Sequence, residues 1–107
     1  MKGKKKNIFS GYSLSWLFVM YDLPYDTSEA KTAAAKFLRH LKKEGYTKLV
    51  DRGKFMIRHC GPGNAEKQIE KIKDILPPDA MVRILQVTDK QFGRMVNLWG
   101  KMRKGVW

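Results

Sequence analysis

The stretch Trp16-Leu17-Phe18-Val19-Met20-Tyr21-Asp22-Leu23-Pro24 constrains the fold more than any other, because six apolar and aromatic residues run unbroken into a single carboxylate. A run of this length and composition predicts a strand from about Leu14 to Asp22, buried on both faces. Pro24 has no N–H to give to a neighbouring strand, so the ladder ends before it and Asp22 falls at or just past the strand's C-terminal end. The rest of the chain must therefore supply strands on either side of this one and helices to cover it.

Downstream, Asp26 or Thr27 can cap a helix, with Glu29 three residues after Asp26 in the spacing of a capping box. Ala30, Ala33, Ala34, Phe37, Leu38 and Leu41 then recur on one helical face, and Gly45 closes the helix. Tyr46–Val50 and Lys54–His59 read as two strands around Asp51-Arg52-Gly53. After the Gly61-Pro62-Gly63 break, Asn64 can cap a second helix with the face Ala65, Ile69, Ile72 and Leu76, which Pro77-Pro78 terminates. Met81–Val87 reads as a fourth strand and Thr88–Phe92 as a single helical turn. Met95–Trp99 reads as a short fifth strand.

The order β-α-β-β-α-β is the ferredoxin-like, split βαβ arrangement of the α+β class: two helices on one face of a four-stranded antiparallel sheet, here with a short C-terminal fifth strand. The sheet's other face has no helix of its own. An apolar face without cover calls for a second copy, and a homodimer is the expected state. The domain spans residues 14–100, flanked by a basic arm over 1–13 and a basic tail over 101–107.

Charge narrows the partner. The 107 residues hold 22 lysines and arginines against 10 acids, a net charge of +12. Lys2, Lys4, Lys5 and Lys6 at one end, and Lys90, Arg94, Lys101, Arg103 and Lys104 at the other, have no acid among them. Such ends suit a polyanion, nucleic acid first. For duplex DNA held by its phosphates, the candidates are Lys36, Arg39 and Lys43 on the first helix, with Arg94, Lys101 and Arg103 near the C-terminus. A membrane partner is not expected, since no run spans a bilayer and neither end has a strong amphipathic helical pattern. The apolar stretch after the N-terminal lysines is broken by Ser10, Gly11, Ser13 and Ser15, unlike a signal peptide. A single cysteine, Cys60, leaves no internal disulfide framework and fits a cytoplasmic location.

The catalytic inventory is small. His59 and Cys60 are adjacent on a strand and point to opposite faces, so they do not chelate one ion together. Asp22 is the one carboxylate delivered to a sheet rim by a rigid strand. Mg²⁺ can be held by one protein carboxylate together with substrate phosphates, and two copies at a two-fold axis would make a stronger site. The same residue can equally cap the turn into Pro24.

At Tyr21-Asp22-Leu23-Pro24 the chain resembles the smaller of the two core CRISPR-associated adaptation proteins, which capture new spacers, and in particular members found beside type II effector systems. The likeness extends in order through Lys36-Phe37-Leu38, Gly45-Tyr46, Arg58-His59-Cys60, Leu76-Pro77-Pro78 and Thr88-Asp89-Lys90-Gln91-Phe92-Gly93, from about Trp16 to Gly100. It implies a ferredoxin-like homodimer with sheets face to face and a C-terminal strand that often crosses to the partner. It also implies a metal-binding catalytic aspartate, here Asp22, with Mg²⁺ or Mn²⁺ as cofactor, and endonuclease activity on single-stranded RNA or duplex DNA. The implied role in spacer acquisition is structural: the dimer binds the protospacer duplex and bridges dimers of the larger integrase subunit. The chain departs from the pattern at Val50-Asp51-Arg52-Gly53-Lys54-Phe55, where the family has an aromatic-Ser-Val-Tyr block. Two other readings stand beside this one, a stand-alone toxin-type endoribonuclease and a non-catalytic RNA-binding ferredoxin-like module.

Overall fold

The computed structural model describes residues 14–50 and 52–101. The arm over 1–13, and the tail beyond Lys101 with Arg103 in it, lie outside the described residues. The elements are β1 (Ser15–Asp22), α1 (Ser28–Lys43), β2 (Thr47–Lys48), β3 (Phe55–Cys60), α2 (Asn64–Asp74), β4 (Met81–Thr88) and the single-turn α3 (Asp89–Phe92). The strands form one antiparallel sheet in the order β2-β3-β1-β4. This is the α+β, ferredoxin-like arrangement that the element order predicts.

The central position of β1 follows from its composition. It pairs with β3 on one side, with Phe18 opposite Ile57, and with β4 on the other along its whole length, from Ser15 opposite Thr88 to Asp22 opposite Met81. Ser15, Leu17, Val19 and Tyr21 alternate onto the face that α1 and α2 cover and are buried. Trp16 and Phe18 are half-buried on the other face, while Met20 and Asp22 are exposed there. The strand is thus buried on one face rather than two, because both long helices pack on the same side. The core joins Leu17, Val19, Tyr21 and Leu23 to Ala34, Phe37 and Leu41 of α1, to Tyr46, Met56 and Cys60, and to Ala65 and Ile72 of α2.

Local chemistry sets the helix ends. Thr27 is extended and its hydroxyl accepts from the Ala30 N–H at 3.0 Å, so Thr27, not Asp26, caps α1. At the other end Gly45 takes a φ of 97°, the Tyr46 N–H donates to the Leu41 carbonyl and the Gly45 N–H to that of Lys42. That pair of bonds is a Schellman motif, and it turns the chain directly into the core at Tyr46. Arg58 Nε donates to the Glu44 carbonyl at 2.7 Å, which places a cation at the negative end of the helix. In α2, Asn64 is the first helical residue and Gly63, with a φ of 73°, is the cap, so the asparagine side chain does not fill the capping role its position suggests. Leu76 lies beyond the end of the helix and is exposed. In its place the buried face includes Gln68, whose Oε1 accepts from the Tyr46 hydroxyl at 3.0 Å.

Two expectations for strands are corrected. β2 is only Thr47–Lys48, shorter than the predicted Tyr46–Val50, because Tyr46 turns into the core and Leu49 and Val50 form a bend. The fifth strand over Met95–Trp99 does not form within one chain: residues 95–100 have no strand pairing, and Leu98 and Trp99 are 88% and 91% exposed. A strand needs an edge to pair with, and within one chain this segment is hydrogen-bonded to neither edge of the sheet.

The Tyr46–Gln68 bond gives a stability test. Tyr46→Phe leaves a buried acceptor without a donor and should lower stability by about 1–3 kcal/mol in urea unfolding at unchanged slope. Burial, aided by the neighbouring Cys60, raises the Tyr46 hydroxyl above its ordinary pKa of 10.0. The unfolded chain therefore loses this proton first, so stability falls as pH rises past about 10. In Tyr46→Phe that alkaline decline should be shallower.

Candidate functional site

Because α1 and α2 occupy one side of the sheet, the other is open and the strands alternate their remaining residues onto it. The ladder brings Trp16, Phe18, Met20 and Asp22 of β1 beside Phe55, Ile57 and His59 of β3 and Met81, Arg83, Leu85 and Val87 of β4. Met20, Met81 and Leu85 are exposed, an apolar surface with one carboxylate at its rim. Asp22 sits there at the last position of β1, exposed, with Met81 opposite and Arg83 two residues further along β4. No hydrogen bond or ion pair among the described residues engages its carboxylate, which does not serve as a turn cap.

The other end of this face is closed by α3. The Thr88 hydroxyl accepts from the Gln91 N–H at 3.0 Å while Gln91 Oε1 accepts from the Thr88 N–H at 2.8 Å, a full capping box that fixes the single turn. Phe92 is thereby stacked on Trp16, with ring centroids 4.0 Å apart. Asp89 Oδ1 accepts from the Trp16 indole N–H at 2.9 Å and lies 3.2 Å from His59 Nε2. The His59 side chain is 41% exposed on an inner strand and is paired to Asp89. Cys60 points the opposite way and is buried. The partners of the Asp89 tie lie too far apart in sequence for local spacing to signal it.

The basic candidates do not form one surface in the single chain. Lys36, Arg39 and Lys43 are exposed and spaced to lie along one stripe of α1, on the helical side of the sheet. Arg94 and Lys101 are exposed on the segment that leaves α3, which docks on the opposite side. Arg103 lies outside the described residues. A further set of cations, which no spacing in the sequence signals, lines a cavity of about 210 Å³ beside Tyr21 and Tyr25: Lys48, Arg52 and Lys54. No three His, Cys, Asp or Glu side chains among the described residues group as a metal site, so Asp22 is a lone potential ligand within one chain.

Comparison with known proteins agrees with this layout. The family model for CRISPR associated protein Cas2 matches residues 15–95, the span from the start of β1 to just past α3. The chain belongs to the Cas2 family. It is 37% identical over 90 residues to a CRISPR-associated endoribonuclease Cas2 of Parvibaculum lavamentivorans, covering 83% of this chain and 87% of that one. A protein of the same name from Flavobacterium psychrophilum is 33% identical over 91 residues, covering 84% and 77%. The Campylobacter jejuni Cas2 endoribonuclease is 38% identical over 85 residues, which is 78% of this chain and 58% of the relative. Membership favours the adaptation reading over a stand-alone toxin or a simple RNA-binding module. Among the described residues of this Cas2 chain no helix is long and apolar enough to cross a membrane.

The Asp89 tie can be tested on its own. Both side chains of the His59–Asp89 pair are largely exposed, so Asp89→Ala should cost at most about 1 kcal/mol of global stability. Its effect should be local instead: amide exchange over residues 89–94 should accelerate as α3 lifts from Trp16, while β1 amides stay protected.

Proposed function

We propose that this Cas2 chain acts as a homodimer in CRISPR spacer acquisition, where it binds duplex DNA and bridges dimers of the larger integrase subunit, and that it carries a Mg²⁺-dependent endonuclease centre at Asp22. The observation that carries this reading is the exposed, unengaged Asp22 at the end of the central strand, on an apolar sheet face that the chain itself does not cover. The endoribonuclease names of the relatives point the same way for the chemistry.

A second copy would cover Met20, Met81 and Leu85, and it would offer a place for Met95–Trp99. The outer edge of β4 has no neighbour in the sheet, and strand addition there would pair the exposed segment across the two chains. Opposed sheet faces would also bring the two Asp22 carboxylates toward each other.

The residues present fit a hard divalent cation: a free carboxylate, a second one from the partner, and room for waters and substrate phosphates. Such an ion, Mg²⁺ or Mn²⁺ in its place, would polarise the scissile phosphoryl group and acidify an attacking water. What this chain contributes is position. The β1–β4 ladder holds the Asp22 backbone opposite Met81, and Arg83 on the same face would supply a cation near the phosphodiester.

Sedimentation at micromolar concentration should give twice the chain mass, and a clean monomer overturns the assembly. Asp22→Asn should abolish metal-dependent cleavage with duplex affinity unchanged or slightly raised, since a negative charge near phosphates is removed. For the duplex itself, affinity should fall steeply with salt and depend little on sequence. Arg39→Ala should flatten the log–log salt slope by about one, while deletion of residues 1–10 should leave most of the affinity in place.

A further inference from the structure

The hairpin between β2 and β3 is where this chain departs from the family pattern, and it builds something there. Gly53 passes so close to Val50 and Phe55 that a Cβ would lie 2.6 Å from Val50 Cγ2 and 2.9 Å from Phe55 Cε1. A side chain at this position would have to displace Val50 or Phe55, and the Gly53 N–H closes the turn on the Val50 carbonyl at 3.3 Å. The Lys54 carbonyl then accepts from the Tyr21 N–H at 3.0 Å, so the hairpin is tied to β1 one residue before Asp22. Beside the hairpin lies the cavity of about 210 Å³, lined by the apolar Leu23 and Leu38, the aromatic Tyr21 and Tyr25, Gly53, and the cations Lys48, Arg52 and Lys54. Among the described residues neither Arg52 nor Lys54 makes an ion pair.

We propose that this cavity binds one unpaired nucleotide of a single-stranded nucleic acid, its phosphate held by Arg52 and Lys54 and its base or sugar packed against Tyr25. Paired cations beside an aromatic face are the chemistry of single-strand binding, in which the phosphate supplies charge and the base a stacking surface. A duplex does not fit, since its bases are stacked inside and a concavity of this size admits a single unit. The position gives the cavity a use. Tyr21 and Leu23 point into it and Asp22, between them, points to the open face, so a strand anchored here runs over the sheet rim toward the carboxylate. The use toward Asp22 rests on the endonuclease reading, whereas the binding does not.

The test is fluorescence anisotropy on the full chain, with fluorescein-labelled oligouridylate and oligothymidylate as single strands and a labelled blunt DNA duplex as control. Tyr25, Arg52 and Lys54 lie largely at the surface, so their variants leave the core intact. Arg52→Ala/Lys54→Ala and Tyr25→Ala should each weaken single-strand binding by about tenfold or more, with duplex affinity within about twofold. Tyr25→Phe should restore the affinity, because the ring rather than the hydroxyl stacks. Oligouridylate alone being sensitive would assign the site to RNA; both being sensitive would assign it to unpaired strands generally. Unchanged single-strand affinity in the variants, equal loss for duplex and single strand, or no single-strand binding by the wild type overturns the proposal. Asp22→Asn separates the two readings: loss of cleavage with single-strand affinity intact leaves both standing, whereas cleavage that survives Asp22→Asn removes the catalytic reading and leaves the pocket.

Discussion

Everything in this fold depends on β1 being hydrogen-bonded along both edges. Its ladder with β4 runs through eight consecutive residue pairs and its ladder with β3 through six, so no other strand is as fully held. That double pairing converts a run of large apolar residues into two surfaces by alternation. Leu17, Val19 and Tyr21 nucleate the core beneath the helices, while Trp16, Phe18 and Met20 face outward with Asp22 at the end of their row. A slip of one residue in register would put the carboxylate into the core and Tyr21 on the open face, so burial and placement of the acid are enforced together.

What could be read in the sequence was what is local or periodic. The α1 face from Ala30 to Leu41, its Gly45 stop and the order of strands and helices follow from spacing alone, and each stands in the structure. Non-local partners could not be read in the same way. Gln68 looks like a surface residue until Tyr46, brought in by the Schellman turn, meets it in the core. Asn64 looks like a cap, but the left-handed Gly63 before it takes the cap position. Asp22 was legible as a rim carboxylate because it ends an apolar run, whereas Arg83 becomes its neighbour only through the β1–β4 register. The Asp89 tie and the hairpin cavity depend on contacts across 73 and about 30 residues, beyond any spacing rule.

The unmade fifth strand belongs to the same logic. Periodicity can mark Met95–Trp99 as strand-like, but a strand is a relation between two backbones, and the sequence of one chain does not state whose edge completes it. The capping box of α3 and the stacking of Phe92 on Trp16 fix where this segment starts, at the end of the open face opposite Asp22. From there the chain continues unpaired, with Val96, Leu98 and Trp99 exposed. A single turn of helix thus sets where the C-terminal segment begins, and its two anchors, an indole N–H and an imidazole, both lie on the open face itself.

A lone carboxylate at a sheet rim also bears on how such a centre is controlled. One Asp22 contributes a single negative charge, and the surrounding chain is strongly cationic, with +12 overall. Such a field draws phosphates in and keeps free divalent cations out, so one chain by itself is a poor place for a metal ion. Two carboxylates facing each other change that balance, and a bound phosphodiester changes it further, since each phosphate adds an anionic oxygen to the ligand set. In the proposed dimer, metal occupancy would require both a second chain and a nucleic acid. A duplex held there by its phosphates would therefore escape cutting as long as no scissile phosphodiester reached the rim where the two Asp22 side chains would meet. Binding and cleavage would then be separable functions of two faces of one molecule, set by which strand is presented rather than by how tightly it is held.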